Sequence, residues 1–200
     1  MRGSLLWYGL LSLAVLSVSS RATAGERQIR PFIGVTFEGA TTFVFSETAA
    51  GKPHAMIGVN AVWLREVFGI DVDLAHAPGF FQDDDPGHLV LSSSVSTLTG
   101  NIVVAVPARK AEYGLRPYFV GGAGLMRVHI DHALGVLPVE KTLPAIDVGG
   151  GVLGFITNRT GVCWEVRRFS TLSRTTEQGL SIGGERLSFW RASMALAIRY

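Results

Sequence analysis

Cysteine, charge and long apolar runs are all scarce in this chain of 200 residues. One cysteine, Cys163, excludes an internal disulfide. With no second thiol and no paired His in its segment, it reads as a small buried hydrophobe. Asp, Glu, Lys and Arg make up only 17% of the chain and hydrophobic residues 48%, which excludes disorder, since disorder needs the opposite balance. The one long apolar run, Leu5 to Val18, is too short to span a bilayer as a helix. It follows Arg2 and precedes the small-residue triplet Ala22-Thr23-Ala24, the layout of a cleavable secretory signal. Residues 1–24 are therefore expected to be a signal peptide for the Sec route, and residues 25–200 a single domain. No Cys follows the run, so a lipoprotein anchor is not indicated. Without Arg2 and Arg21 the basic residues fall from 18 to 16, equal to the 16 acids, and nothing points to nucleic acid. Leu89 to Ala108 is uncharged, but its Ser and Thr content makes it β-prone rather than a membrane helix.

What the chain has instead is alternation at period two, the signature of strands. At the end of the chain, Trp190, Ala192, Met194, Leu196, Ile198 and Tyr200 fall on one face and Arg191, Ser193, Ala195, Ala197 and Arg199 on the other. Phe68, Ile70, Val72 and Leu74 likewise oppose Gly69, Asp71, Asp73 and Ala75. Further segments set Ile33, Val35 and Phe37 against Gly34, Thr36 and Glu38, and Ile57, Val59, Ala61 and Trp63 against Met56, Gly58, Asn60 and Val62. From Pro117, Tyr118, Val120, Met126 and Val128 form the apolar set, opposed by Gly121, Ala123, Arg127 and His129. Ile146, Val148, Val152 and Ile156 oppose Asp147, Gly149 and Gly151; Val162, Trp164 and Val166 oppose Cys163, Glu165 and Arg167. The segment from Leu89 to Val106 shows a change of register near Ser96, as a bulge or a hairpin reaching beyond the membrane would produce.

These segments predict an all-β fold, an antiparallel up-and-down transmembrane β-barrel of about eight strands near the ~9–11 residues a tilted membrane strand needs. Connections at 64–66, 107–116 and 157–161 are the shorter set; those at 39–53, 77–88, 130–142 and 171–185 are mostly longer and more polar. That asymmetry matches short periplasmic turns and longer external loops. Trp63, Phe68, Tyr118 and Tyr200 would form a periplasmic aromatic girdle on the outer face, with Phe37 and Trp190 near the other rim.

Arg116-Pro117-Tyr118-Phe119-Val120-Gly121-Gly122-Ala123-Gly124 resembles the fifth-strand motif of outer-membrane β-barrel proteins of the opacity and outer-membrane-protein-A-like kind, the small barrels of the porin family. Val148 to Gly151, the turn from Thr157 to Gly161 and Val162 to Arg167 resemble their next hairpin. The aromatic Tyr200 after alternating apolar residues is similar to the signal read by the barrel-assembly machinery. The resemblance covers essentially residues 30–200 and implies a stand-alone barrel in the bacterial outer membrane, since no peptidoglycan-binding domain follows Tyr200.

The inward charges Glu38, Asp71, Asp73, Arg127, His129, Asp147, Glu165, Arg167, Arg191 and Arg199 are expected to form an ion-pair network, because an unpaired buried charge is costly. Eight strands leave an interior just wide enough for side chains, which argues against a broad aqueous pore. No cofactor, metal or catalytic set is expected. Asp83-Asp84-Asp85 lacks the spacing of a calcium loop, and His129, Asp131 and His132 read as a solvated loop rather than a lipid-A-modifying centre, since His-x-Ser is absent. Arg167-Arg168 and Arg174 could meet lipopolysaccharide phosphates. The leading reading is a non-enzymatic outer-membrane barrel with a structural or surface-interaction role, in contact with lipid and lipopolysaccharide. A soluble lipocalin-like carrier of an apolar ligand and a lipid-A-modifying enzyme are the alternatives. Which face is apolar separates the first two.

Overall fold

The computed structural model describes residues 25–41, 52–81, 90–107, 109, 114–132, 139–172 and 186–200. The signal peptide expected at 1–24, the Asp83–Asp85 run and Arg174 lie outside these residues. Eight strands follow one another: β1 Glu26–Thr41, β2 His54–Leu64, β3 Phe68–Pro78, β4 Val90–Ala105, β5 Leu115–His132, β6 Val139–Phe155, β7 Thr160–Thr171 and β8 Leu187–Arg199. Each pairs antiparallel with the next, and β8 returns to β1 to close the barrel.

Period-two alternation sorts the side chains. Ile33, Ile57, Ile70, Ile102, Val148 and Trp164 all stand exposed on the outer wall. Met56, Asn60, Asp71, Asp73, Glu165 and Arg191 are buried inside. An 11-residue strand such as β3, at ~3.3 Å per residue and ~40° tilt, rises roughly 28 Å, enough to cross an apolar band about 25 Å tall.

The start of β1, the end of β8 and the strand ends that flank the β2–β3, β4–β5 and β6–β7 connections share the near end of the barrel. Local hydrogen bonds shape those turns: Arg65 N donates to Phe68 O at 2.9 Å, and Ile156 N and Thr157 N both donate to Thr160 O at 3.0 Å. In the last turn Thr157 Oγ1 accepts from the backbone of Arg159 and Thr160, so Asn158-Arg159-Thr160 is a compact corner.

Four expectations are corrected. Alternation in β4 runs unbroken from Val95 to Ala105, and the bulge lies between Val90 and Ser92 rather than near Ser96. Residues 130–142 are not one loop: β5 continues to His132 and β6 begins at Val139. Beyond the ends of β3 at Pro78 and β7 at Thr171, β4, β5 and β6 therefore run on as a three-stranded flap. The two faces of β5 are exchanged, with Tyr118, Val120, Met126 and Val128 buried inside and Phe119 and Leu125 exposed outside. Finally, β1 slips register against β8 between Phe37 and Ala40, and Glu38 takes φ of 49° there, which turns its side chain out of the lumen.

Candidate functional site: the lumen

The interior is layered. In the middle layer two arginines bind four carboxylates. Arg167, from β7, donates through Nη2 to Asp71 Oδ2 at 2.6 Å, through Nη1 to Asp147 Oδ2 at 3.2 Å and through Nε to Glu165 Oε1 at 2.6 Å. Arg191, from β8, meets Asp73 with both ends of its fork, Nη1 to Oδ1 at 2.9 Å and Nη2 to Oδ2 at 2.7 Å, and reaches Glu165 Oε1 at 3.3 Å. Such paired charge-assisted bonds fix geometry as well as energy. Amides add further bonds: Asn60 Nδ2 donates to Asp73 Oδ2 at 2.7 Å and Asn101 Nδ2 to Asp71 Oδ2 at 3.2 Å. The Arg191 guanidinium also lies 4.5 Å from the Phe32 ring centre and 4.9 Å from that of Phe169.

Tyr118 belongs to this layer. Its hydroxyl donates to Glu165 Oε2 at 2.7 Å and lies 2.9 Å from Cys163 Sγ. The ring has room because its neighbour across the ladder is Gly151; a Cβ there would lie 2.7 Å from the Tyr118 oxygen.

At the near end, Glu26 accepts hydrogen bonds from Gln28 and Arg199 and pairs with Arg116 at 3.3 Å. Arg116 also donates to three backbone carbonyls, Arg65 O at 3.2 Å, Glu66 O at 2.7 Å and Val106 O at 2.8 Å, and so ties two near-end turns to β5. At the far end the layer is apolar. Phe80 and Phe81, from the turn after β3, fold inward and are fully buried. Phe81 N donates to Ser93 Oγ at 2.9 Å. Phe80 packs edge-on against Phe189 at 5.2 Å between ring centres, and Phe189 stacks on Phe169 at 5.3 Å.

Of the expected network, Asp71, Asp73, Asp147, Glu165, Arg167 and Arg191 meet in one cluster. Arg199 faces inward but serves Glu26 at the near end. Arg127 stands outside, exposed and paired with Glu140, because β5 presents its opposite face. Glu38 is exposed at the bulge, and His129 is half-buried in the flap. Among the aromatics, Trp63, Phe68 and Tyr200 are exposed on the near-end outer wall as expected. Tyr118 is not; Phe119 takes its place there, 75% exposed. Phe37 and Trp190 sit opposite each other across the β1–β8 ladder, and Arg168 stacks on Trp190 at 5.4 Å.

Sequence reasoning missed Glu26, Gln28, Arg30 and Arg116. The signal for three of them was present: Glu26, Gln28 and Arg30, continued by Phe32, alternate with Arg27, Ile29, Pro31 and Ile33, which extends β1 back to its start. It also passed over Gly179-Leu180-Ser181-Ile182-Gly183, which has the spelling of a nucleophile elbow. That pentapeptide lies outside the described residues, between two antiparallel strands, whereas an elbow needs a strand-to-helix turn.

The barrel is similar to several solved structures. Neisserial surface protein A matches with a TM-score of 0.63 at 11% identity, over 88% of this chain and 97% of that one. The outer membrane protein OprG from Pseudomonas aeruginosa matches with a TM-score of 0.54 at 11% identity, over 88% and 96%. Ail, the attachment invasion locus protein of Yersinia pestis, in complex with the heparin analogue sucrose octasulfate, matches with a TM-score of 0.51 at 11% identity, over 87% and 99%. No protein-family model and no curated protein sequence matches the chain. The shared feature is the fold, that of the small eight-stranded outer-membrane barrels.

Proposed function

We propose that this barrel is integral to the bacterial outer membrane, with its lumen closed by its own side chains and its far-end connections presented outside the cell as a structural or surface-contact element. One observation carries the reading: polarity is inside out. Large aliphatic residues occupy the outer wall, where only lipid can cover them, while arginine–carboxylate pairs occupy the interior. A soluble carrier of the lipocalin kind needs the reverse, an apolar interior and a polar wall. Contiguous apolar surface on this scale is not tolerated in water.

Closure is supported by two successive layers, the Arg167–Arg191 cluster and the Phe80–Phe189–Phe169 stack beyond it. No enzymatic step and no cofactor enters the proposal. Lipopolysaccharide is a fitting neighbour for the far rim, where Arg168 stands on the outer wall against Trp190. β8, ending beside Tyr200, is the strand that the barrel-assembly machinery would read. Two of the structural relatives are named for surface display or attachment, which fits a contact role.

The experiment is a membrane fractionation with gel mobility before and after boiling, followed by conductance in planar bilayers. A heat-dependent shift in the outer-membrane fraction and a bilayer at background conductance are expected. A soluble protein with no shift restores the carrier reading, and a stable wide pore refutes closure. Altered lipid A on expression would favour the enzyme.

A further inference from the structure

The middle layer of the lumen holds more negative than positive charge. Asp71, Asp73, Asp147 and Glu165 supply four carboxylates against the two guanidinium groups of Arg167 and Arg191, and all six side chains are buried. Arg30, a third buried cation, pairs on one rung with Asn60 and Asp73 and stacks on Tyr118, while its Nε donates to Gln28 Oε1 at 2.7 Å and its Nη1 lies 3.9 Å from Cys163 Sγ; with it counted, one carboxylate remains in surplus. A surplus of buried carboxylate is strongly unfavourable unless something compensates it.

Two acceptors in the same layer show where compensation belongs. Asp147 Oδ1 and Asn101 Oδ1 receive no hydrogen bond from any described residue, although Asp147 is only 4% exposed and Asn101 only 5%. The register sets them on one rung, since Asn101 of β4 pairs with Gly122 of β5, and Gly122 with Asp147 of β6. A Cβ on Gly122 would lie 2.1 Å from Asn101 Oδ1. The missing side chain leaves room for the Asn101 carbonyl beside Gly122, the residue that stands between Asn101 and Asp147 on that rung. Two ladder steps of about 4.8 Å separate the backbones by roughly 10 Å, a gap that two inward side chains of this length largely close.

We propose that Asp147 Oδ1 and Asn101 Oδ1, over Gly122, bind one monovalent cation of sodium or potassium size. Such an ion supplies both acceptors with a partner and cancels the surplus charge; a water molecule does only the first. Hard oxygen donors suit an alkali cation. Among the described residues, no group of three or more His, Cys, Asp or Glu side chains is arranged to hold a metal ion, which disfavours a divalent occupant. The inference rests on the closed-barrel reading, because a wide, water-filled lumen would screen the surplus.

The test measures the midpoint of the heat-dependent gel shift of the folded full barrel in sodium, potassium or choline chloride, at one pH and one ionic strength. Choline is too large for the gap between two side chains. The midpoint is expected to be about 2–4 °C higher with either alkali ion than with choline, as an added kcal/mol would give in a chain of this size. Asp147→Asn should abolish the difference; Asn101→Ala serves where that variant does not fold. In crystals grown with rubidium chloride, anomalous scattering should place the ion over Gly122. Equal midpoints in all three salts, with the shift itself intact, would overturn the site. So would a midpoint that follows pH and ignores the cation, because the compensating charge is then a proton. Absence of any heat-dependent shift fails at an earlier step and removes the barrel reading with it.

Discussion

Arg191→Met tests the ionic layer at its most buried point. The substitution preserves an unbranched, apolar stem and removes the guanidinium. Asp73 then retains Asn60 at 2.7 Å and a distant Arg167 at 3.9 Å, and loses its two-pronged partner. Stripping one member from a buried pair costs about 3–5 kcal/mol, because a desolvated charge is left behind. Loss of the stacking on Phe32 and Phe169 adds up to about 1–2 kcal/mol, partly offset by sulfur–aromatic contacts of about 0.3–1.5 kcal/mol. Glu165 keeps Arg167 and Tyr118, so the damage centres on Asp73. Pairing Arg191→Met with Asp73→Leu removes the orphaned charge, and an apolar replacement of a buried ion pair is often neutral. The double variant should recover to within about 1–2 kcal/mol of the parent, well below the sum of the two single losses, since Asp73→Leu alone also strands a buried charge. Urea unfolding in lipid vesicles, followed by tryptophan fluorescence and gel shift together, measures all four corners of the cycle. If Arg191→Met costs less than about 1 kcal/mol, or the double variant is no better than the weaker single one, the ionic layer is solvated and the account of the lumen is wrong.

Val72→Arg, on the outer wall in the middle of β3, should cost about 2–4 kcal/mol in lipid vesicles, the penalty of a charge near the bilayer midplane; an unchanged unfolding midpoint would place that wall in water. Tyr118→Phe should cost about 1–2 kcal/mol through the lost bond to Glu165, whereas a side chain on the outer wall would lose almost nothing. Arg116→Ala releases three turn carbonyls and Glu26, and should destabilise the near end by about 3 kcal/mol while leaving bilayer conductance at background. Phe80→Ala with Phe81→Ala should lower the unfolding midpoint yet stay non-conducting, because the arginine–carboxylate layer lies beneath; an open channel would make the rings the seal.

Legibility followed how one-sided each strand is. β3 and β7 set carboxylates and arginine against large aliphatics, so Asp71, Asp73, Glu165 and Arg167 could be assigned inward from alternation alone. β5 defeated the same reasoning. Both of its faces carry apolar and small residues, and alternation yields two faces without saying which one meets lipid. What decides it is the Tyr118–Glu165 bond, between residues 47 apart in the chain. Glu38 was misplaced by extending a period past the point where β1 slips register. Phe80 and Phe81 follow the last residue of β3, where no period applies, and their burial depends on rings contributed by β7 and β8. Asn101 sits in β4, where the register change was expected in the wrong place, and its position over Gly122 arises only once β4 and β5 are paired.

The flap made by β4, β5 and β6 also has a mechanical meaning. β5 is 18 residues long and is flanked along nearly all of that length by β4 on one side and β6 on the other. Tension applied at its tip runs along the strand, so the hydrogen bonds of both ladders would share the load in shear instead of opening one after another as in peeling. Arg116, at the opposite end of the same strand, holds the turns that β5 would drag with it. An attachment at the β5–β6 connection would thus be anchored through the full height of the wall, while a load on the shorter β2–β3 side would be carried by fewer bonds.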